Sequence, residues 1–512
     1  MEAQQIAIID MGSNSIRFVI YDVNEHACFK EIQNLKVVAR LSTYISDEGK
    51  MTREGIEVIL STLRKFETVM NDYLITEIRG VATAAIRNAT NQVEILEAIQ
   101  KESCFDITVL NEEEEAYYGY LAITNSTNIS EGVTIDIGGG STEVTFYENR
   151  ILKHSHSFPF GAITLKKRFV KNDNPTKQEW KNLRQFLKDQ FVSLPWLKEK
   201  NVPVIGIGGT ARNIALVHQN HISYPLSGLH QYEMSGIAVS TILEKLASVS
   251  LARREKIDGL SKDRADIIVP AVAAIEELIQ EVGTNQFIVS NKGLRDGLFY
   301  EMFLKSIEVT HFPHVTHESF YQLAENFGLN QEHQKKISVL SSFLAQELIH
   351  CNEIELTKAD LKQLHWGANV FYIGHAIHPE SQSQHSFYLL TNQSIDGLSH
   401  MDRLAIAFLS SFKSRSQLKQ YASPFRHWIT KEELKKYELL GAILKLCYGL
   451  DASNRNVVTE IKISKCLKKS LEISVLYNGE PYFESFHATK YKKHLERALK
   501  KEITLSFIKD QP

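Results

Sequence analysis

Several features that would narrow a protein's class at once are missing from this sequence. No run of about 18 apolar residues occurs in its 512 residues, so no transmembrane helix is expected. Cysteine is scarce. The five (Cys28, Cys104, Cys351, Cys447 and Cys466) are odd in number and widely scattered. That speaks against a disulfide framework or a zinc site and suits reduced thiols. No basic stretch precedes the first apolar run, so Met1–Gln5 is expected not to begin a secretory signal, and a cytoplasmic protein is expected. Neither sign of charge dominates: 58 Lys+Arg stand against 61 Asp+Glu, a net charge of -3. Nor is the chain polar enough for disorder, with 43% hydrophobic and 23% charged residues.

What is present begins with a repeat. Residues 8–21 and 134–147 align at a fixed offset of 126: Asp10 with Asp136, Gly12 with Gly138, Ser15 with Ser141, Tyr21 with Tyr147. Each copy reads as a strand, an Asp, a small-residue turn and a second strand, which predicts two β-hairpins in a duplicated α/β domain with a cleft between the halves. Glycines in such turns bring backbone N–H groups close to an anion, and successive N–H groups form an anion-binding nest. An Asp at the strand end can hold a hydrated Mg²⁺ facing that anion. A third glycine turn, Gly206-Ile207-Gly208-Gly209-Thr210, runs from a strand into a helix, whose N-terminus is a ready anion site. At Thr83–Arg87 the threonine is read either as a helix cap or as a phosphate donor, with Arg87 its charge partner.

An acidic run, Glu112-Glu113-Glu114-Glu115, follows a strand and a capping Asn111. Glutamates in a first helical turn suit the helix dipole and are usually solvated. Hydrolysis of a phosphoanhydride also needs a carboxylate to orient and deprotonate water, and spacing alone does not choose among the four. Glu143, two residues beyond Ser141, is either a solvent-facing strand residue or a carboxylate acting on a metal or water.

Together these residues resemble the exopolyphosphatase/guanosine pentaphosphate phosphohydrolase family of the actin/Hsp70/sugar-kinase superfamily. The carrying motifs are Asp10-x-Gly12-Ser13-Asn14-Ser15, Thr83-x-x-x-Arg87, Glu114-Glu115-Ala116, Asp136-x-Gly138-Gly139-Gly140-Ser141-Thr142-Glu143 and Gly206-x-Gly208-Gly209-Thr210, with Gly293–Leu298 similar to the closing helix of the second domain. The resemblance covers roughly residues 5–300. It implies two RNase H-like domains, a water-activating base at Glu115, and metal or water-positioning carboxylates at Asp10, Asp136 and Glu143. The phosphate-contacting set it implies is Ser13, Asn14, Ser15, Arg17, Thr83, Arg87, Gly139, Gly140, Ser141, Gly208, Gly209 and Thr210. The cofactor implied is Mg²⁺ (or Mn²⁺). Where the family has an Arg after Glu-Glu-Ala, this chain has Tyr117.

Past residue 306 the glycine turns stop and ten of the 19 His fall within 90 residues. Helical periodicity fits 318–327, 335–350, 360–374 and 401–412. A helical, His-rich domain invites a metal-dependent HD reading, but no adjacent His-Asp pair occurs. The resemblance to long family members, which carry an HD-like domain here, implies that the position of their metal pair is Phe371-Tyr372, an aromatic pair that cannot ligate Mg²⁺ or Mn²⁺. After Ser423-Pro424 the pattern predicts a helix at 431–447, strands at 457–463 and 471–477, a turn at Asn478-Gly479, another strand, and a helix at 490–501. From 426 to 510 there are 17 basic residues against 11 acidic. Lys490, Lys492, Lys493, Arg497, Lys500 and Lys501 are read as a solvated face or a patch for distant phosphates of a long chain. Interleaved aromatic groups are not evident, so nucleic acid is not expected.

The sequence thus predicts domains at 1–125 and 126–305 (RNase H-like, α/β), 306–425 (helical, HD-like) and 426–512 (small, basic, α+β). The expected function is exopolyphosphatase activity. The alternatives are a pppGpp 5′-phosphohydrolase, an ATP-dependent kinase or ATPase, and a non-catalytic polyphosphate or nucleotide sensor. A homodimer is expected from the resemblance.

Overall fold

The computed structural model describes residues 2–510. The apolar runs of the repeat become two sheets of matching design. In the first, β1 (Gln4–Met11), β2 (Ile16–Val23) and β3 (Phe29–Val37) form an antiparallel meander, and β4 (Ile75–Ala82) and β5 (Ile107–Val109) extend it in parallel from β1. In the second, β6 (Gly132–Ile137), β7 (Thr142–Glu148) and β8 (Ile151–Phe158) repeat the meander. Next, β9 (Val204–Ile207) and β11 (Gln286–Val289) add in parallel, and β10 (Tyr232–Ser235) closes the edge. The repeat seen over 14 residues is therefore the seed of a whole duplicated sheet. Ile6 to Ile9 on β1 and Val133 to Ile135 on β6 are almost wholly buried, as expected for strands covered on both faces.

Both sheets lie in one compact unit, up to Tyr224 and again over Leu229–Val315. Helix α1 (Ala84–Arg87) follows β4, α2 (Glu112–Thr124) follows β5, α3 (Ala162–Phe169) follows β8, α4 (Gly208–His221) follows β9, and α5 (Leu294–Ser306) follows β11. The family-like closing helix α5 was placed in the second domain by sequence, yet it packs on α2 and β1. Phe299 stacks on Tyr21 with ring centroids 4.0 Å apart, and Tyr118 Oη donates to Glu301 at 2.9 Å.

Residues 225–228 and 316–512 form the second compact unit. Its helices Val315–Asn326, Gln331–His350 (α6), Lys358–Asn369 and His400–Ser410 answer the predicted periodicity. The third stops short of the expected 374, where Tyr372 turns to φ 56°. The expected division at 425/426 does not separate compact bodies. Helix α7 (Lys431–Gly449) is buried along Leu440, Ile443, Leu444 and Leu446 and packs on α6 and His400–Ser410, so it belongs to the helical core.

The tail departs from the sequence pattern. No strand follows Asn478-Gly479. Gly479 takes φ +106°, Pro481 caps a helix, and α8 (Tyr482–Leu499) begins at once. The aromatic residues that suggested a strand lie at helical spacing instead. Lys500, at φ 57°, ends the helix. Strand β14 (Glu502–Lys509) then pairs in parallel with β13 (Ser470–Tyr477), itself antiparallel to β12 (Val458–Cys466). Parallel pairing demands a crossover, and α8 supplies it. Lys500 and Lys501, expected within a helix at 490–501, therefore lie outside α8.

Candidate active site

The two repeated turns are closed by the same bond: Gly12 N–H donates to Ser15 C=O and Gly138 N–H to Ser141 C=O, both at 3.0 Å. Arg40 N–H binds Asn14 C=O from behind at 2.9 Å, and α3 caps the second turn through Ala162 N–H to Gly138 C=O, also at 2.9 Å. The turns face one another: a Cβ built on Gly139 would lie 3.7 Å from Ser13 Cβ. Thr83 is tied to this place by its N–H to Met11 C=O at 3.2 Å. Its side chain makes no cap bond to α1 and lines the same cavity. The cap reading of Thr83 is thus not the one the fold uses.

Between the turns lies a cleft of about 340 Å³. Of the expected residues, Asp10, Ser13, Asn14, Ser15, Arg17, Thr83, Glu115, Asp136, Gly139, Ser141, Gly208 and Gly209 line it. Gly208 has two reasons to be glycine. Its φ is +77°, and a Cβ there would sit 2.2 Å from Asp136 Oδ1. Arg87, Gly140, Thr210 and Glu143 do not line this cavity. Thr210 is buried beneath the third turn with its hydroxyl unpartnered.

The register explains an asymmetry between the copies. Asp10 lies opposite Arg17 on β2, and Asp136 lies opposite Glu143 on β7, at equivalent positions. One copy presents a cation beside its Asp, the other a second carboxylate. Glu143 is 4% exposed, hence not the solvent-facing residue that a bare strand pattern allows. Ser157 Oγ donates to it at 3.0 Å, and Ser141 hydrogen-bonds it as well. Burial and the neighbouring Glu115 push its carboxyl well above the usual range.

Among the four glutamates the fold chooses clearly. Glu114 is spent in the helix cap, accepting Asn111 N–H at 2.8 Å, and Glu113 is exposed. Glu112 is half exposed, 4.0 Å from Arg87. Glu115 alone turns inward, and burial raises its carboxyl to about 7 against the opposing pull of Arg87. Arg87 Nη1 donates to Glu115 Oε2 at 2.8 Å and to Leu110 C=O at 3.0 Å. The predicted phosphate partner thus holds the glutamate. A second cavity of about 20 Å³, the room for about one water, is lined by Glu115, Asp136 and Glu143 and shares Ile207 and Leu294 with the cleft.

Sequence reasoning missed most of the cations. Lys36, Arg212, Arg264 and Arg295 line the cleft with Arg17. Arg295 Nε stands 3.5 Å from Asp10 Oδ2. Burial raises Asp10 while Arg295 and Arg17 oppose it; burial raises Asp136 while Arg212 and Arg264 oppose it. Arg212 follows the third glycine turn by two residues and Arg295 lies within the recognised segment Gly293–Leu298, a usable signal. Lys36 and Arg264 carried none. Arg264 lies against Gly209, where a Cβ would collide with its guanidinium.

In the second unit, Lys492 is engaged with Glu496 and Ile503 C=O, and Lys501 with Glu353 and Leu467 C=O. Lys490, Lys493, Arg497 and Lys500 are exposed. Tyr117, in place of the family's Arg, packs edge-on against Tyr118 with centroids 5.5 Å apart.

Known proteins are similar to this chain in sequence and fold. Exopolyphosphatase 2 of Mycobacterium tuberculosis is 26% identical over 319 residues, covering 58% of this chain and 98% of that protein. Exopolyphosphatase 1 of Mycobacterium bovis is 25% identical over 305 residues, covering 57% and 87%. The crystal structure of the Aquifex aeolicus Ppx/GppA family member, 26% identical, superposes with a TM-score of 0.54 over 60% of this chain and 99% of that one. An exopolyphosphatase from Cytophaga hutchinsonii, 25% identical, gives 0.53 over 59% and 98%. No helix among the described residues is long and apolar enough to cross a membrane. The sequence profile of the Ppx/GppA phosphatase family matches residues 19–306, more than half of the chain, and that of the family's domain III matches 315–487. The chain belongs to the Ppx/GppA phosphatase family.

Proposed function

We propose that this protein is an exopolyphosphatase, releasing orthophosphate from the end of inorganic polyphosphate by attack of water. One observation carries the choice of substrate. The cleft is lined by three glycine turns and five cations, and no aromatic side chain among the described residues lines it. A linear phosphate chain needs cations and N–H donors; a guanine base needs a stacking surface.

Backbone N–H groups of the Gly12–Ser15 and Gly138–Ser141 turns face the terminal phosphates, with Ser13, Asn14 and Thr83 adding side-chain donors. Arg17, Lys36 and Arg264 draw in the following phosphates. Glu115 orients a water beside Glu143 and takes its proton; Arg87 keeps Glu115 aimed. The donor set fits Mg²⁺ (or Mn²⁺). Asp10 and Asp136 face one cavity, and no group of three or more His, Cys, Asp or Glu among the described residues encloses a metal by itself. Mg²⁺ binds through one or two carboxylates, waters and substrate phosphates. Asp10 and Asp136 would hold it, and when bound it supplies neutralisation of the phosphate oxygens.

Phosphate release from long polyphosphate, pppGpp and ATP, each with Mg²⁺ and with EDTA, tests this. Fastest release from polyphosphate with Mg²⁺ is expected. Faster release from pppGpp would reassign the substrate, and phosphate transfer from ATP to a sugar would reassign the class. No release from any of them would leave a sensor.

A further inference from the structure

The exposed face of α8 carries two kinds of group end to end. Tyr482, Phe483 and Phe486 are 65%, 55% and 58% exposed, large values for aromatic rings. Lys490, Lys493 and Arg497 continue the same stripe at helical spacing. The opposite face, with Ala488 and Leu495, is buried in the protein's own core. Beside the rings runs a groove of about 750 Å³ walled by Tyr482, Phe486 and Phe507, with Ser485, Thr489, Lys490 and one carboxylate, Glu480, at its polar margin. The cations reinforce one another: burial together with Lys413, Lys493 and Lys490 pushes Lys445 down to about 8, and burial with Lys445, Lys493 and Arg497 pushes His494 down to about 4.

We propose that this stripe and groove bind single-stranded nucleic acid, the rings stacking on bases and the cations following the phosphates. The charge is complementary to a polyanion, and the rings require that the polyanion carry flat, apolar units. Bare polyphosphate would use the cations and leave the rings idle. A membrane-bound helix carries its apolar groups along its whole length with cations beside them, whereas here they follow one another on one stripe. Duplex bases are already stacked, so unpaired ones are needed. The helix is about 27 Å long, enough for about four nucleotides, the lower end of single-strand sites. The sequence pattern concealed this, because the rings read as belonging to a strand separate from the lysines. This site is independent of the proposed chemistry in the cleft.

The test is fluorescence anisotropy of a labelled oligouridine RNA with the full-length protein. Binding that weakens steeply with salt is expected. The double variant Tyr482→Ala/Phe486→Ala should bind roughly ten-fold or more weakly at every salt concentration, while releasing phosphate from polyphosphate as the wild type does. Phe486→Trp should retain binding. Lys490→Gln/Lys493→Gln should lower the log–log salt slope by about 1.4. Three results would each overturn the proposal. One is the absence of RNA binding by the wild type at low salt. Another is unchanged RNA affinity in the ring variant with an intact circular dichroism spectrum, which would leave a bare cation patch. The third is ring-dependent capture by phosphatidylserine vesicles without RNA binding, which would make the face a membrane contact.

Discussion

Buried ionisable groups are handled differently in the two units. In the first, Asp10, Glu115, Asp136 and Glu143 border cavities, and burial raises every one of them. In the second, such groups close on each other. His333 Nδ1 meets Asp451 Oδ2 at 2.7 Å, Asn456 N–H binds the other oxygen of Asp451 at 3.0 Å, and Ser338 Oγ meets His365 Nδ1 at 2.7 Å. Phe371 and Tyr372, which the resemblance set at the position of an HD metal pair, pack against Tyr448 with centroids 5.5 and 5.2 Å away. A dense set of histidines therefore need not mark a site. What marks one is buried charge facing space that a ligand can enter, because such charge costs stability that only a ligand offsets.

The contrast can be broken by substitution. The largest effect belongs to Glu115→Gln. Phosphate release is expected to fall by roughly 10²–10⁴-fold, with a melting temperature no lower than the wild type's; near-wild-type turnover would remove Glu115 as the base. In the second unit the order reverses. His333→Leu strips a partner from the fully buried Asp451 and should cost about 3–5 kcal/mol in denaturant unfolding, while release per folded molecule stays unchanged. Loss of turnover out of proportion to loss of fold would show that the second unit reaches the chemistry.

Asp136→Asn should raise the Mg²⁺ concentration needed for half-maximal release by roughly ten-fold or more, and EDTA should abolish release by the wild type. An unaltered Mg²⁺ requirement would place the ion elsewhere. Gly208→Ala forces a left-handed backbone on alanine and pushes a methyl into Asp136. It should cost about 1–3 kcal/mol and lower turnover together, since the strain lies at the carboxylate itself.

The smallest effect is one of pH. Lys445 has its folded-state value lowered to about 8, mainly by burial. Below pH 8 it is charged in both folded and unfolded states, and its burial penalty is fully present. Above that the folded form gives up its proton first. The wild type should therefore gain stability relative to Lys445→Met between pH 8 and about 10.5, the ordinary lysine value. A difference that does not change with pH would show that Lys445 is not strained by its surroundings.

Much of the site was legible because turns are local. The offset-126 repeat identified both hairpins, and the third glycine turn came from five residues, Gly206 to Thr210. The choice among Glu112–Glu115 was not legible. It depends on which side chain of α2 turns toward β6 and β7, and helix phase alone leaves one glutamate per direction. Arg87 was read by proximity to Thr83 as a phosphate ligand, yet the backbone of α1 sends it to Glu115 and Leu110 C=O. In the tail, Asn478-Gly479 is a true turn, but Pro481 opens a helix there, and parallel pairing of β13 with β14 is a long-range event that short-range alternation does not report.

By itself the sequence determined the duplicated α/β design, the glycine turns, the family and the helical character of the second unit. Each rests on residues within about a turn of one another, where φ/ψ preference and side-chain period act directly. Only the tertiary structure decided that Glu115 is the inward glutamate, that Glu143 is buried beside a water-sized cavity, and that Lys36 and Arg264 join the cleft. It also decided that the rings and cations of α8 share one face. These are matters of which distant segments meet, and close packing settles them through chain closure rather than local preference.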